Sequence, residues 1–303
     1  MAPDRGGRAA DTADTAGAAD TAGSADTADA ADAADAAVLR QVVDGVAWIT
    51  LNRPEAGNAV TAAMRDQVIG WLEEASADLG VRAVVLTGSG EKGFCTGADL
   101  RSSGPGLPRP DGAPDRAVGD AARLIRTGWQ RLVSAVLDCE KPVIAAVNAT
   151  AAGGGMHLAL ACDLVLVAEE AKFIEVFIRR GIAPDAAGAY LLTRLIGPQK
   201  AKELFFFGDD VPAREAERLG LVNKVVPRAE LMAEAGAWAA RLAEAPTKAI
   251  GVAKYLTNRA LDTDRATALW DEAVGQELVT GTDDCKEGLA AFVERRPPVF
   301  RGW

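Results

Sequence analysis

The chain has 303 residues, 49% of them hydrophobic and 25% charged, with a formal net charge of −10. That length supports a sizeable core in one large domain or two smaller ones, and the acidic balance excludes the basic surface that nucleic acid or an anionic membrane requires. The four cysteines, Cys95, Cys139, Cys162 and Cys285, fit no CxxC or zinc spacing, and the single histidine, His157, excludes a multi-histidine metal site. Free thiols suit a reduced, cytoplasmic compartment. No apolar run approaches the roughly 18 residues of a membrane span, and the N-terminus lacks the apolar core of a signal peptide.

Residues 1–37 are near-repeats of Ala, Asp, Thr and Gly, with eight Asp and two Arg. Most of the excess negative charge therefore sits in a segment with almost nothing large and apolar to bury, and the expectation is a disordered tail. Order is expected from Val38. Val42-Val43, the Asp44-Gly45 turn and Val46–Leu51 predict a hairpin. Thr61 precedes Met64, Val68, Trp71 and Leu72, spaced for one helix face. Ala83–Thr87 is a short apolar run of the parallel-sheet kind. Gly88–Leu100 is a glycine-rich loop leading to a possible helix start, and 101–118, rich in Pro, Gly, Arg and Asp, predicts a mobile loop. One helix is expected over Asp120–Leu137.

Pro142–Val147 predicts a buried strand, after which Gly153–Gly155 open an apolar helical stretch, and Leu164–Val167 predicts another strand. Glycines allow close backbone approach and leave the first helical N–H groups uncovered, at the positive end of the helix dipole. That suits an anion or a developing oxyanion, although close helix–strand packing would use the same glycines. The order of strand, glycine turn and helix occurs twice, at 83–100 and 142–161. Two turns beyond strand carboxyl ends, where open α/β sheets bind ligands, would let two N–H groups converge on one oxygen. After Val226 no strand pattern appears, and four helical stripes predict a C-terminal segment over 228–303 that packs on the core (38–227), on another subunit, or on both.

Several separate motifs resemble the crotonase family, that of enoyl-CoA hydratases and isomerases. Asn52-Arg53-Pro54 with Asn58-Ala59 is similar to its N-R-P-x-x-x-N-A segment, Gly93–Leu100 to its first oxyanion loop, and Val147–Asp163 to its V-N-G-x-A-x-G-G-G-x-x-L-A-x-x-C-D signature. Gly181–Gly197, Leu219–Pro227 and the ending F-V-E-R-R-P-P-V-F-R-G follow in the family's order. The resemblance implies an α/β fold, a crotonase-like spiral of β-β-α repeats with a C-terminal helical trimerisation segment, assembling as a homotrimer or hexamer. It implies an acyl-CoA substrate and no metal or redox cofactor. By motif position, the N–H groups of Ala98 and Gly154 would hold the thioester oxygen, flanked by Gly97 and Gly153. Removing a proton alpha to a thioester, or adding a nucleophile beta to it, charges that oxygen, and two fixed donors stabilise it.

The family's hydratases use two glutamates as acid and base. Those positions are His157 and Phe177 here, so hydration by a carboxylate pair is in doubt. Asp185, in G-I-A-P-D-A-A-G, resembles the base of some isomerases of the family and the nucleophile of its aryl-CoA dehalogenases. The expectation is Asp185 as base with His157 assisting, giving double-bond isomerisation or hydration of an enoyl-CoA. Glu175, two residues before Phe177, is held in reserve on strand alternation. Arg53, Lys92, Asp99, Phe177 and Arg295 are expected around substrate and coenzyme A. The competing readings are a hydrolase or dehalogenase with Asp185 as nucleophile, and a non-catalytic acyl-CoA-binding protein.

Overall fold

The hairpin forms as the sequence predicts. Strands β1 (Val38–Val43) and β2 (Val46–Leu51) pair antiparallel, and Asp44 and Gly45 both take positive φ (50° and 75°), the geometry that matches strand twist. These elements belong to a computed structural model that describes residues 36–101 and 109–303. The expected disordered tail and the centre of the 101–118 loop lie outside the described residues. Helix α1 (Ala62–Ala77) is capped by Thr61, whose hydroxyl accepts the Met64 N–H at 3.3 Å, and it buries Met64, Val68, Ile69 and Leu72.

β3 (Ala83–Gly88) is buried at every residue and lies parallel to β2. β4 (Gly93–Cys95) follows, and Ala98 bridges to Val60; a helix start led into by this loop would fall on residues outside those described. The helix expected over Asp120–Leu137 is broken. Gly128 takes φ −100° and ψ −105°, and a Cβ there would fall 2.5 Å from the Leu124 carbonyl oxygen. The result is α2 (Asp120–Thr127) and α3 (Trp129–Asp138). Only α3 buries its apolar face, through Leu132, Val133 and Val136, while Leu124 on α2 is exposed.

β5 (Val143–Val147), β7 (Leu164–Ala168) and β10 (Lys224–Val226) complete a six-stranded sheet of order β1-β2-β3-β5-β7-β10, parallel except for the hairpin. A second sheet, β4-β6-β8-β9, is built from three-residue strands: β6 (Thr150–Ala152), β8 (Lys172–Ile174) and β9 (Asp210–Pro212) join β4. Strands this short carry no readable alternation, so the sequence hid this sheet. The chain thus turns repeatedly from a long strand of the first sheet to a short strand of the second and then to a helix, the β-β-α spiral expected. Helix α4 (Gly154–Ala161) is buried on every residue and packs against α3, β4, β5 and β6. Helices α5 (Gly188–Phe207), kinked at Gly197-Pro198, and α6 (Ala213–Leu219) lead to the last strand.

The C-terminal segment is not a separate body, since Ala37–Trp303 forms one compact unit. Helix α7 (Arg228–Ala243) buries Leu231, Ala235 and Ala239 against β2, β3, β5 and β7. Beyond it come α8 (Thr247–Ala260), α9 (Arg265–Thr280) and α10 (Asp283–Glu294). Two polar locks hold them. The Lys254 ammonium reaches Asp163 at 2.9 Å and donates to the Val136 carbonyl at 2.8 Å. The Arg82 guanidinium donates to the Ala245 and Phe300 carbonyls at 2.6 and 3.1 Å. The outer faces of α9 and α10 leave Trp270, Leu278, Phe292 and Val293 exposed. No helix among the described residues is long and apolar enough to cross a membrane.

Candidate active site

The N-R-P-x-x-x-N-A segment turns out to be scaffolding. Asn58 is fully buried in a left-handed conformation, donates to the Ser89 and Gly93 carbonyls at 2.9 and 2.7 Å, and accepts the Arg53 N–H at 2.8 Å. It ties the turn after β2 to the loop between β3 and β4. Arg53 and Asp99, expected to meet coenzyme A, are committed to each other. The guanidinium pairs with Asp99 at 2.9 Å and donates to the Ala59 carbonyl at 2.8 Å. The Arg101 backbone N–H and the Arg53 guanidinium hold the Asp99 carboxyl below its usual range. The charge of Arg53 thus fixes the loop that carries Gly97-Ala98.

That loop meets the glycine triplet. The Val60 N–H donates to the Gly97 carbonyl at 2.8 Å, and the Asp99 N–H to the Val60 carbonyl at 3.0 Å. Between these bonds the Ala98 N–H is left without a protein acceptor among the described residues, as is the Gly154 N–H in the first turn of α4. Gly97 has φ 95°, and a Cβ on it would fall 3.6 Å from the Gly154 nitrogen. The two expected donors therefore stand on touching backbones.

Each glycine of the triplet has its own reason. Gly153 takes φ 53° at the helix cap, with Phe177 beside it. A Cβ on Gly154 would lie 2.9 Å from Cε3 and Cζ3 of Trp129, and one on Gly155 would lie 2.0 Å from the Cys95 carbonyl oxygen. Gly154 thus presents its amide under an indole, while Gly155 locks α4 to β4. The sequence pattern places Trp129 on the apolar face of one helix and not at the site; the glycine before it is the one signal that the helix face changes there. Cys95 is buried, and burial pushes its thiol up to about 12, which makes it inert packing.

Three turns of chain meet at His157, one helical turn beyond Gly154. The imidazole is wholly buried; its Nε2 lies 2.6 Å from Oε1 of Glu175, itself buried, and its ring stacks on Phe177 with centroids 5.4 Å apart. Phe177 therefore covers the histidine and Gly153. The alternation argument for Glu175 does not hold, because β8 ends at Ile174 and the chain then bends into a 3-10 turn. The carboxylate reaches His157 through that bend.

Asp185 is half-buried and precedes α5, the helix that packs against α4. Burial raises its carboxyl above the usual value; Glu175 adds to that shift and His157 opposes it. Of the groups near the site it is the carboxyl that keeps partial access to solvent. Lys92 is exposed in the first loop, and Arg295 caps α10 with φ 57°, also exposed. No described contact brings either to the two amides. Among the described residues no group of three His, Cys, Asp or Glu side chains is placed to hold a metal ion.

Two uncommitted amides on adjoining backbones form an arrangement suited to an oxygen that gains negative charge. The comparisons agree with that geometry. The family model for enoyl-CoA hydratase/isomerase matches residues 41–302. The "Probable enoyl-CoA hydratase" of Rhodobacter capsulatus is 38% identical over 262 residues, covering 86% of this chain and 96% of that protein. The 1,2-epoxyphenylacetyl-CoA isomerase of Escherichia coli is 36% identical over 267 residues, 88% of this chain and 98% of the relative. The crystal structure of an enoyl-CoA hydratase from Bacillus anthracis superposes with a TM-score of 0.80 at 33% identity, covering 88% of this chain and all of that one. The chain belongs to the enoyl-CoA hydratase/isomerase family. It is a crotonase-type enzyme that processes acyl-CoA thioesters.

Proposed function

We propose that this enzyme moves a double bond within an enoyl-CoA, using Asp185 as its single base. The thioester oxygen accepts hydrogen bonds from the Ala98 and Gly154 amides. Asp185 takes a proton from the carbon alpha to the thioester, the resulting enolate is held by the two amides, and the same carboxyl returns the proton to the gamma carbon. Nothing is consumed, so no cofactor is needed. The observation that carries this reading is the state of His157. It stands at a hydratase acid/base position, yet it is wholly buried and engaged with Glu175. Adding water would need a second group to hold that water, and Phe177 offers none.

Turnover of a 3-enoyl-CoA in D2O tests the reading. The expected product is the 2-enoyl-CoA carrying solvent deuterium, with none formed by Asp185→Asn. A 3-hydroxyacyl product would overturn it in favour of hydration, and an acyl- or aryl-enzyme adduct on Asp185, found by mass spectrometry, would assign that residue as nucleophile. Aryl thioesters belong in the same panel, given the ring-bearing substrate in the name of the Escherichia coli relative.

The working form we propose is a cytoplasmic homotrimer or a dimer of trimers. The support is the apolar surface of the last helices. Trp270 is 69% and Phe292 84% exposed, and a cleft of about 680 Å³ between Tyr255, Trp270, Leu278 and Trp303 is open. An isolated chain would gain by covering such a surface.

A further inference from the structure

The His157–Glu175 pair has no role in the scheme above, and its geometry asks for one. Both side chains are out of water, at 0% and 1% exposure, and a short hydrogen bond of 2.6 Å joins them. Apolar side chains would fill the space at lower cost, since burying polar groups is costly. Moreover His157 Nδ1 and Glu175 Oε2 have no hydrogen-bond partner among the described residues. An ordinary core histidine would have both nitrogens satisfied.

What the imidazole touches is the turn that carries Asp185. A Cβ on Gly188 would fall 2.0 Å from His157 Cε1 and 2.2 Å from Nε2, so the ring occupies the space of a Gly188 side chain. The Gly188 N–H donates to the Asp185 carbonyl at 2.9 Å. Between them Ala186 and Ala187 both take positive φ (47° and 61°), a conformation that non-glycine residues hold only when their surroundings impose it. The flat face of a histidine fixed by Glu175 and Phe177 is that imposed surface.

The other charges around Asp185 are accounted for. The 3-10 turn carries Arg179 and Arg180, both exposed, and Arg179 is paired with Asp210. The first charged residue further along α5 is Arg194, which is paired with Asp262. The groups that bear on Asp185 are therefore His157 from α4 and Glu175 from the end of β8.

We propose that the buried, hydrogen-bonded His157–Glu175 couple positions Asp185 by shaping the turn that carries it. The couple acts through Asp185 and does not touch the thioester. This rests on Asp185 being the base, and the test separates the two claims.

Because His157 is the only histidine, imidazole ¹⁵N signals of tag-free, full-length protein report on it alone. Asp185→Asn, which leaves the pair intact, should move those signals, because the turn packed on the ring has changed. Signals that ignore Asp185→Asn overturn the coupling. Kinetics supply the second arm, on the 3-enoyl-CoA that the wild type turns over. His157→Gln removes the group that opposes the upward shift of Asp185 and should raise the acid limb of kcat/KM by about half a pH unit or more. Glu175→Gln removes the group that adds to that shift and should lower the limb, and the double variant should return close to wild type, with KM little changed throughout. Shifts of the same sign in both single variants would mark a merely structural pair. Should Asp185→Asn keep full activity while His157 still senses it, the base assignment fails and the coupling stands.

Discussion

The indole of Trp129 lies over Gly154 so closely that a Cβ on the glycine would come within 2.9 Å of two ring carbons. Gly154→Ala must therefore push the ring or the helix start, and a displaced oxyanion donor costs about 100-fold or more in rate. The expected result is a kcat lowered by that order with the fold retained by circular dichroism. Gly154→Ala combined with Trp129→Ala should recover part of the loss. Full activity in the single variant would remove this amide from the reacting oxygen.

As the proposed base, Asp185 should set the acid limb of the pH profile. Its carboxyl is raised by burial, so as pH falls it takes up a proton above the ordinary value of about 3.9 and stops acting as a base. kcat/KM should decline at a pH higher than an exposed aspartate would give. The same shift has a sign for stability. The folded state holds this proton more tightly than the unfolded chain, so the contribution of Asp185 is present at low pH and lost as pH rises through the folded value. Asp185→Asn should thus be inactive yet more resistant to urea near neutral pH, the difference shrinking toward about pH 4. Equal midpoints at both pH values would contradict the burial argument.

Arg53 offers a test of loop fixation apart from charge recognition. Arg53→Met takes the guanidinium from Asp99, which keeps its bond from the Arg101 N–H, and removes a donor to the Ala59 carbonyl. A misplacement of the Gly97-Ala98 loop by about 1 Å would cost on the order of 100-fold. The loss should fall on kcat and be the same for a coenzyme A thioester and a truncated pantetheine thioester. A loss seen only with the full coenzyme A substrate would return Arg53 to phosphate binding.

The Lys254–Asp163 lock is a stability feature. Lys254→Met leaves Asp163 with its Val143 N–H bond at 2.7 Å but without its cation. Removing one partner of a buried pair costs about 3 kcal/mol or more. Denaturant unfolding should show a loss of that order, with the remaining folded enzyme normally active. An unchanged midpoint would mean that the lock is worth no more than a surface pair.

Much of this was readable in the sequence because the chemistry of the hole lies in glycine spacing. Gly97 and the Gly153–Gly155 triplet are visible as letters, and their backbones do meet. The parallel strands were also legible, being continuous apolar runs. What was not legible has physical causes. The break at Gly128 depends on a contact with the Leu124 carbonyl, which a helical periodicity through Leu124 and Leu132 conceals. The second sheet is made of strands too short to show a period. The pairings Arg53–Asp99 and His157–Glu175 join residues 46 and 18 positions apart along the chain, as their numbering gives. Such distances have no pattern in one sequence, so neither pairing was legible there.

The contact of Gly155 with the Cys95 carbonyl has a consequence for how such an enzyme changes over time. The electrophile-binding part of the site is written in main-chain atoms and in the absence of side chains, so substitutions elsewhere scarcely reach it. The proton-moving part is written in side chains, which single codon changes replace. A lineage can therefore exchange glutamates for a histidine and a phenylalanine, and with them its reaction, without rebuilding the cradle that makes the thioester reactive.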